Sequence, residues 1–119
     1  MNKRWIGSKN EDMAIQHLKE KGYEILERNW YHFKREIDII ARDKNQIVFI
    51  EVKSRKNDLY GDPEDAVNLK KQKIIIGAAN SYIEKHQIDL EARFDIISIL
   101  FKNHEPEIKH IVDAFHPQP

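Results

Sequence analysis

Two carboxylates and one ammonium group stand in segments that otherwise have the composition of buried β-strands. Asp38 lies between two isoleucines. Glu51 follows an apolar run and precedes Lys53 by two positions. Side chains alternate across a strand, so Glu51 and Lys53 are expected on the same face. A carboxylate is costly to bury unless it meets a cation, hydrogen-bond donors or a metal ion. These three residues therefore predict a polar site built on core strands.

The residue types also indicate which ion such a site would hold. Carboxylate oxygens are hard ligands that suit Mg²⁺ or Mn²⁺, and Mg²⁺ is commonly held by one or two carboxylates with water and substrate phosphate. Asp38 and Glu51 are the expected ligands, with the main-chain carbonyl of Val52 as a further one. Lys53 would orient an attacking water or offset charge on a phosphate. The alternative is a structural ion pair, Glu51 with Lys53 or Asp38 with Arg35.

The chain contains a second set of residues with the same pattern. Asp95 stands in an apolar run, and Glu107 precedes Lys109 by two positions. Glu51 follows four apolar residues, whereas Glu107 follows a proline at the start of a strand, where exposure costs little. We therefore expect the first set to form the site and Asp95 to form a structural pair with Arg93.

Helical and strand-like segments alternate in an order that can position these residues. Ser8 would cap the first helix, with Glu11 completing a capping box and residues 1–7 forming a basic arm. Asn68 would cap the last helix. Consecutive strands without intervening helices favour a mixed sheet over a doubly wound parallel one. The expected elements are a helix from Ser8 to about Lys21, strands over 23–31, 35–40 and 46–53, a short helix from Pro63, a helix from Leu69 to about His86, and strands over 93–101 and 107–115.

The composition limits the class of protein. A length of 119 residues suits one domain. The absence of cysteine excludes disulfides and thiolate zinc sites and suits a cytoplasmic location. Lys and Arg balance Asp and Glu, 20 against 20, so nucleic acid would need a local basic face or a metal ion. The six histidines lack the spacing of a zinc site. The sequence contains no signal-peptide pattern, and no apolar run reaches the ~20 residues that a membrane-spanning helix needs.

Several short motifs, spread over nearly the whole chain, carry a family resemblance. They are Gly7-x-x-x-Glu11-x-x-Ala14, Gly22-Tyr23-x-Ile25-Leu26-x-Arg28-Asn29, Glu36-Ile37-Asp38-Ile39-Ile40, Val48-Phe49-Ile50-Glu51-Val52-Lys53-x-Arg55, Tyr60-Gly61-x-Pro63, Lys71 and Arg93-Phe94-Asp95. In this order they resemble the YraN-like family of small bacterial proteins, which is placed among the PD-(D/E)XK nucleases. The family usually has glycine where Asn10 and Arg35 stand here, and Ile37 replaces the superfamily's proline. Arg35 is expected to bring a cation close to Asp38.

The resemblance implies both a fold and a reaction. The fold would be restriction-endonuclease-like, an α/β (α+β) fold in the order α-β-β-β-α-β-β, with a central mixed sheet of about five strands flanked by helices in one nuclease-like domain over residues 1–119. The reaction would be metal-dependent hydrolysis of phosphodiester bonds in DNA, in particular structured or branched DNA. Asp38, Glu51, Lys53 and Glu11 would be catalytic, and Glu11 would ligate through water or hold a second metal. Its alternative role is the capping box.

Three further residues are candidates for contact with the nucleic acid. Arg55 and Lys71 would contact phosphates, with ordinary solvated charges as the alternative. Tyr60 would stack on a base, with simple packing as the alternative. A homodimer is a further expectation, because cutting a duplex or a junction often takes two sites. The alternative function is a nucleic-acid-binding module of the same fold with little or no turnover.

Overall fold

The computed structural model describes the backbone of residues 3–57, 59 and 61–118 and the side chains of this part from residue 9 onward. The order α-β-β-β-α-β-β predicted from the sequence is confirmed. The strands extend a few residues beyond the predicted boundaries because the turns between them are short. The elements are α1 (Lys3–Glu20), β1 (Glu24–His32), β2 (Arg35–Asp43), β3 (Gln46–Arg55), a short 3-10 helix (Pro63–Ala66), α2 (Leu69–His86), β4 (Glu91–Lys102) and β5 (Glu105–Phe115).

The five strands form one mixed sheet in the order β1-β2-β3-β4-β5. The first three strands are antiparallel neighbours, and β4 and β5 form an antiparallel hairpin. Strand β3 runs parallel to β4, and α2 lies in the connection between them, since parallel strands cannot be joined by a tight turn. The strand that carries Glu51 and Lys53 is therefore the central one.

The two helices cover opposite faces of the sheet. Ala14 and Leu18 of α1 pack on one face, and Ile75, Ala78 and Tyr82 of α2 pack on the other. Successive residues of the central strands belong alternately to these two clusters, as the two-residue period of a strand requires. Val48 and Ile50 lie under α1, whereas Ile47 and Phe49 lie under α2. In the described part of the chain, neither helix is long and apolar enough to cross a membrane.

The start of α2 agrees with the sequence prediction, whereas the start of α1 differs from it. The Asn68 side chain caps α2 by accepting a hydrogen bond of 3.0 Å from the Lys71 backbone N–H, as predicted. Helix α1 begins at Lys3, so the predictions that Ser8 is its N-cap and that residues 1–7 form an arm are wrong for the described residues 3–8. Ser8 and Glu11 are also neighbours inside a helix, so their spacing does not mark its start.

The regular alternation of β2 is broken at Asp38. Ile37 and Ile40 both pack on the α2 side, while Ile39 packs on the α1 side. On β1, Asn29 lies between the residues that pair with Ile37 and Ile39, and it has a left-handed backbone with φ of 53°. Irregularities of this kind bend a sheet and redirect a side chain. They occur here at the position where Asp38 leaves the core.

Candidate metal centre

An open cavity of about 410 Å³ lies where β2 and β3 separate, between α1 and α2. The last pair of the β2–β3 ladder is Ile39 with Ile50, so Asp38 and Glu51 follow immediately at the point of separation. The two acids predicted as metal ligands are thus brought to one place by the hairpin itself. The cavity is lined by Asn10 and Glu11 of α1, Glu36 and Asp38 of β2, Glu51, Val52, Lys53 and Ser54 of β3, and Lys71 of α2.

Beyond the last backbone pair of β2 and β3, the Asp38 side chain still links the two strands. Its Oδ2 accepts a hydrogen bond of 2.8 Å from the Val52 backbone N–H, which holds the carboxyl group across the gap. Glu11 and Glu36 approach from α1 and from the same strand. Carboxylate oxygens of Glu11, Glu36 and Asp38 all lie within 4.8 Å of one another. Three acids from two elements can therefore offer oxygen ligands to one ion.

The carboxyl groups of the half-buried Asp38 and the buried Glu51 oppose each other's ionisation. Burial, followed by the charge of Glu51, raises the pKa of Asp38 to about 9, against the hydrogen bond from the Val52 amide. Burial also raises the pKa of Glu51, against the attraction of Lys71, the hydrogen bond with Asp38 and the attraction of Lys53. Each carboxyl group therefore favours the neutral form of the other, and a cation placed between them would relieve this conflict.

Glu51 is the most enclosed acid of the cavity and is incompletely satisfied. Its residue is 4% exposed. Its Oε1 lies 3.8 Å from the Lys53 Nζ and 3.9 Å from the Lys71 Nζ. Its Oε2 is buried and has no hydrogen-bond partner among the described residues. A buried carboxylate oxygen without a donor is the chemistry that a hard cation would complete.

Contacts of α1 with β1 and β3 fix the position of Glu11 at the cavity. Arg28 of β1 reaches Glu11 with its Nε at 3.4 Å and Asp12 with its Nη1 at 2.6 Å. Asn10, which is almost fully buried, donates from Nδ2 to the Ser54 Oγ at 2.8 Å. This bond ties α1 to the end of β3. Glu11 therefore faces the acids from a helix that is anchored on both sides.

The chain is similar to a family of bacterial proteins. Residues 10–99 match the uncharacterised protein family UPF0102. A UPF0102 protein of Geobacter metallireducens is 46% identical over 116 residues, which cover 97% of this chain and 95% of the relative. One of Phocaeicola vulgatus is 44% identical over 112 residues, which cover 94% and 93%. The chain belongs to the UPF0102 family. The YraN-like resemblance is thereby confirmed.

The match to UPF0102 contains the whole cavity. It begins at Asn10 and ends within β4, so all residues that line the cavity lie inside it. Strand β5 lies outside it. The part of the fold that defines the UPF0102 family is therefore also the part that builds the candidate metal centre.

Three residues of the cavity were not among the predicted site residues. Glu36 stands two positions before Asp38, and a two-residue spacing on a strand was the signal that could have indicated it. Asn10 and Ser54 come from elements far apart in the sequence, and nothing in their local pattern indicates their hydrogen bond. The long-range packing of α1 on β3 brings them together.

The predicted nucleic-acid contacts have three different outcomes in space. Lys71 enters the cavity from the first turn of α2, beside Glu51. Arg55 lies beyond the cavity, in a neighbouring groove at the end of β3. Tyr60 lies outside the described residues. Of the two that the structure describes, only Lys71 is placed next to the acids.

The expectation that Arg35 lies close to Asp38 is wrong. The Arg35 Nη1 lies against Gly77 of α2, 2.8 Å from where a Cβ of that residue would stand. No ion pair joins Arg35 to Asp38 among the residues that the structure describes. Arg35 and Asp38 are three positions apart on β2, and an odd spacing on a strand directs two side chains to opposite faces. The alternative role of Glu11 in a capping box is also wrong, because Glu11 lies well inside α1.

The second set of acid and lysine residues does not converge. Asp95 is bonded to Arg93, as predicted. Glu107 is exposed and lies 3.5 Å from Lys102, while Lys109 contacts Glu64 at 2.6 Å. The choice of the first set on the basis of its apolar context therefore agrees with the burial of Glu51 and the exposure of Glu107.

Proposed function

We propose that this protein is a metal-dependent phosphodiester hydrolase acting on DNA, with Mg²⁺ or Mn²⁺ held by Asp38 and Glu51. The observation that carries the proposal is that Asp38 and the buried Glu51 meet in one cavity beside Lys53, with one Glu51 oxygen left without a donor among the described residues. The order of the elements and the position of Glu51-x-Lys53 on the central strand support it, because the PD-(D/E)XK resemblance implies the same arrangement.

The residues present fit a hard divalent cation. Asp38 and Glu51 supply the deepest oxygens, and Val52 lines the same cavity, so its carbonyl is a further ligand candidate. Glu11 and Glu36 add negative charge within ligand range of Asp38. A divalent ion would oppose the raised pKa of both carboxyl groups, because it favours the charged form of each.

Each side chain then has a separate task in hydrolysis. A bound Mg²⁺ supplies polarisation of the phosphodiester and a lower pKa for a coordinated water. Lys53 holds its ammonium group at the cavity mouth, where it can orient the attacking water and offset charge on the phosphate. Lys71 approaches the same Glu51 oxygen as Lys53, at 3.9 Å, and can contact a substrate oxygen. Glu11, whose carboxylate lies within 4.8 Å of that of Asp38, would hold a water molecule beside the ion.

Metal binding is the first test, because it separates a site from a structural ion network. Mn²⁺ is titrated calorimetrically into the wild type, Asp38→Asn, Glu51→Gln and Glu107→Gln. The last variant is a matched control, because Glu107 belongs to the same sequence pattern but lies exposed on β5. Binding in the wild type and Glu107→Gln, with loss in the other two, supports the proposal. Equal binding in all four variants contradicts it.

Cleavage is the second test. A forked DNA duplex with Mg²⁺ is incubated with the wild type, Asp38→Asn, Lys53→Met and Lys109→Met. Loss of a donor that stabilises a transition state costs about 10²–10³ in rate, so Lys53→Met should lose this much while Lys109→Met keeps wild-type activity. Full cleavage by Asp38→Asn would show that the assigned centre is wrong.

The alternative of a binding module without turnover predicts a different combination. It requires DNA binding by the wild type that weakens with rising salt, because phosphate contacts release counterions, together with no cleavage in Mg²⁺ or Mn²⁺. Lys53 and Lys71 partly balance Glu51 without any metal, which is the feature that favours this alternative. Metal binding at Asp38 and Glu51, together with cleavage that is lost in Asp38→Asn, decides between the two.

A further inference from the structure

A second, larger groove lies beside the candidate metal centre. It has a volume of about 1160 Å³ and runs between α1, the end of β3 and the β4–β5 turn. Asn10 and Ser54 line both this groove and the acid cavity, so the two are continuous at that hydrogen bond. A ligand that extends from the acid cavity past this hydrogen bond therefore enters the groove directly.

The groove combines apolar walls with a positive rim. Met13 of α1 and Phe101 of β4 line it, and both are only partly buried. Lys9, Arg55 and Lys56 bring positive charge to its edge. Asp12, also in the lining, is paired with Arg28 at 2.6 Å, which offsets its negative charge. Such a surface suits a ligand with one flat apolar part and one anionic part.

Arg55 carries an unused donor at this place. Its Nε is buried and has no hydrogen-bond partner among the residues that the structure describes. A buried guanidinium N–H without an acceptor is costly, and an anion in the groove would satisfy it. Arg55 stands two residues after Lys53 on the same strand. An anion bound at Arg55 would therefore lie beside the acid cavity, in the direction in which β3 leaves Lys53.

We propose that the groove binds an unpaired nucleotide adjacent to the scissile phosphate, with its base against Phe101 and Met13 and its phosphate at Arg55. The inference rests on the proposed hydrolysis, because it names the substrate class of the same site. Bases stack on aromatic side chains only after they have left the duplex stack. The favoured substrate is thus DNA with a fork or single-stranded arm at the cut, and a continuous duplex is disfavoured.

The experiment compares two DNAs of identical sequence, one fully paired and one forked. Fluorescence anisotropy in EDTA gives a Kd for each with the wild type, Arg55→Gln, Phe101→Leu and Lys85→Gln. EDTA prevents cleavage, and the ratio of the two Kd values cancels the general repulsion between acids and phosphates. Lys85→Gln is the matched control for charge, because Lys85 is exposed in the last turn of α2, on the other side of the sheet.

Stacking of one base contributes enough for the forked DNA to bind about tenfold more tightly to the wild type. Arg55→Gln and Phe101→Leu should bring this ratio close to one, while Lys85→Gln leaves it unchanged. A ratio that survives Arg55→Gln overturns the groove assignment, even where Phe101→Leu fails to fold. If Arg55→Gln and Phe101→Leu lose the fork preference but the wild type cleaves no DNA, the proposed hydrolysis is refuted and the assignment of the nucleotide groove stands.

Discussion

The two Asp and Glu-x-Lys sets have the same sequence pattern and opposite electrostatic states. Asp95 is fully buried, and it accepts hydrogen bonds of 2.9 Å from the Arg93 Nε and Nη2. The Asp113 backbone N–H donates to it at 3.0 Å, and the His110 Nε2 lies at 2.8 Å. Among the described residues, Asp38 meets one backbone N–H and two further acids, Glu51 and Glu36. The number of donors, and not burial alone, distinguishes the two.

The pKa of each aspartate follows from this difference. Burial acts to raise the pKa of Asp95, but the hydrogen bonds from His110, Arg93 and the Asp113 amide outweigh it and leave that pKa below its ordinary value. At Asp38, burial and the charge of Glu51 outweigh the single amide donor, so the pKa rises. A buried acid with all its donors present is part of the framework. A buried acid that lacks them is suited to receive a cation.

The largest expected difference is in stability. Asp95→Asn should lower the free energy of unfolding by about 1.5–3 kcal/mol, because it removes a charged acceptor of the buried Arg93 guanidinium, which keeps Asp43 at 3.0 Å as its other carboxylate partner. Asp38→Asn should cause no loss in metal-free protein, because the proton that Asp38 carries is replaced by a neutral amide of the same size. Urea denaturation in EDTA measures both values.

The control for this comparison is Glu107→Gln. Glu107 belongs to the Asp95 set but is exposed, so its variant should stay within about 0.5 kcal/mol of the wild type. If Asp38→Asn destabilises the protein as much as Asp95→Asn does, then Asp38 is a framework residue and the difference between the two regions disappears.

Metal should stabilise one region and not the other. With Mn²⁺ at ten times its Kd, the free energy of unfolding of the wild type should rise by about 1.4 kcal/mol, since the ion binds only the folded chain. Glu107→Gln should gain the same amount and Asp38→Asn should gain none. Thermal melts with and without Mn²⁺ measure the gain. An equal gain in Asp38→Asn would locate the ion elsewhere.

The pH dependence of stability should have a sign fixed by the raised pKa of Asp38. A carboxyl group whose folded pKa lies above its ordinary value of 3.8 contributes stability below that value and loses it as the pH rises through about 9. In EDTA, the free energy of unfolding of Asp38→Asn should therefore increase relative to that of the wild type between pH 5 and 9. The increase should be on the order of 1 kcal/mol, or about 4 °C in Tm. A constant difference across this range would show that Asp38 is already ionised at pH 5.

The sequence was sufficient for features that depend on local pattern. The apolar run before Glu51 predicted a central buried strand, and the two-residue period placed Lys53 beside it. Asn68 at the start of α2 and the order of all the elements followed from capping and periodicity. These features are determined by residues close together in the chain, so a single sequence contains them.

Features that depend on long-range packing could not be predicted in this way. The start of α1 was placed at Ser8 because a serine three residues before a glutamate occurs both at helix starts and inside helices. The irregularity of β2 at Asp38 involves a partner residue, Asn29, on another strand. The Asn10–Ser54 bond joins elements 44 residues apart. Each case requires knowledge of which segments meet.

Glu36 tests how far the electrostatic contrast extends beyond the two central acids. Its carboxylate lies within ligand range of Asp38 and Glu11, and its hydrogen bond with Asp38 contributes to raising the pKa of that residue. Glu36→Gln should weaken Mn²⁺ binding about threefold, less than 1 kcal/mol, because it removes a nearby charge and keeps both central ligands. Calorimetry measures this, with Glu24→Gln on the exposed start of β1 as the matched control. A loss of a hundredfold would make Glu36 a direct ligand equal to Asp38, whereas unchanged affinity would confine the metal to Asp38 and Glu51.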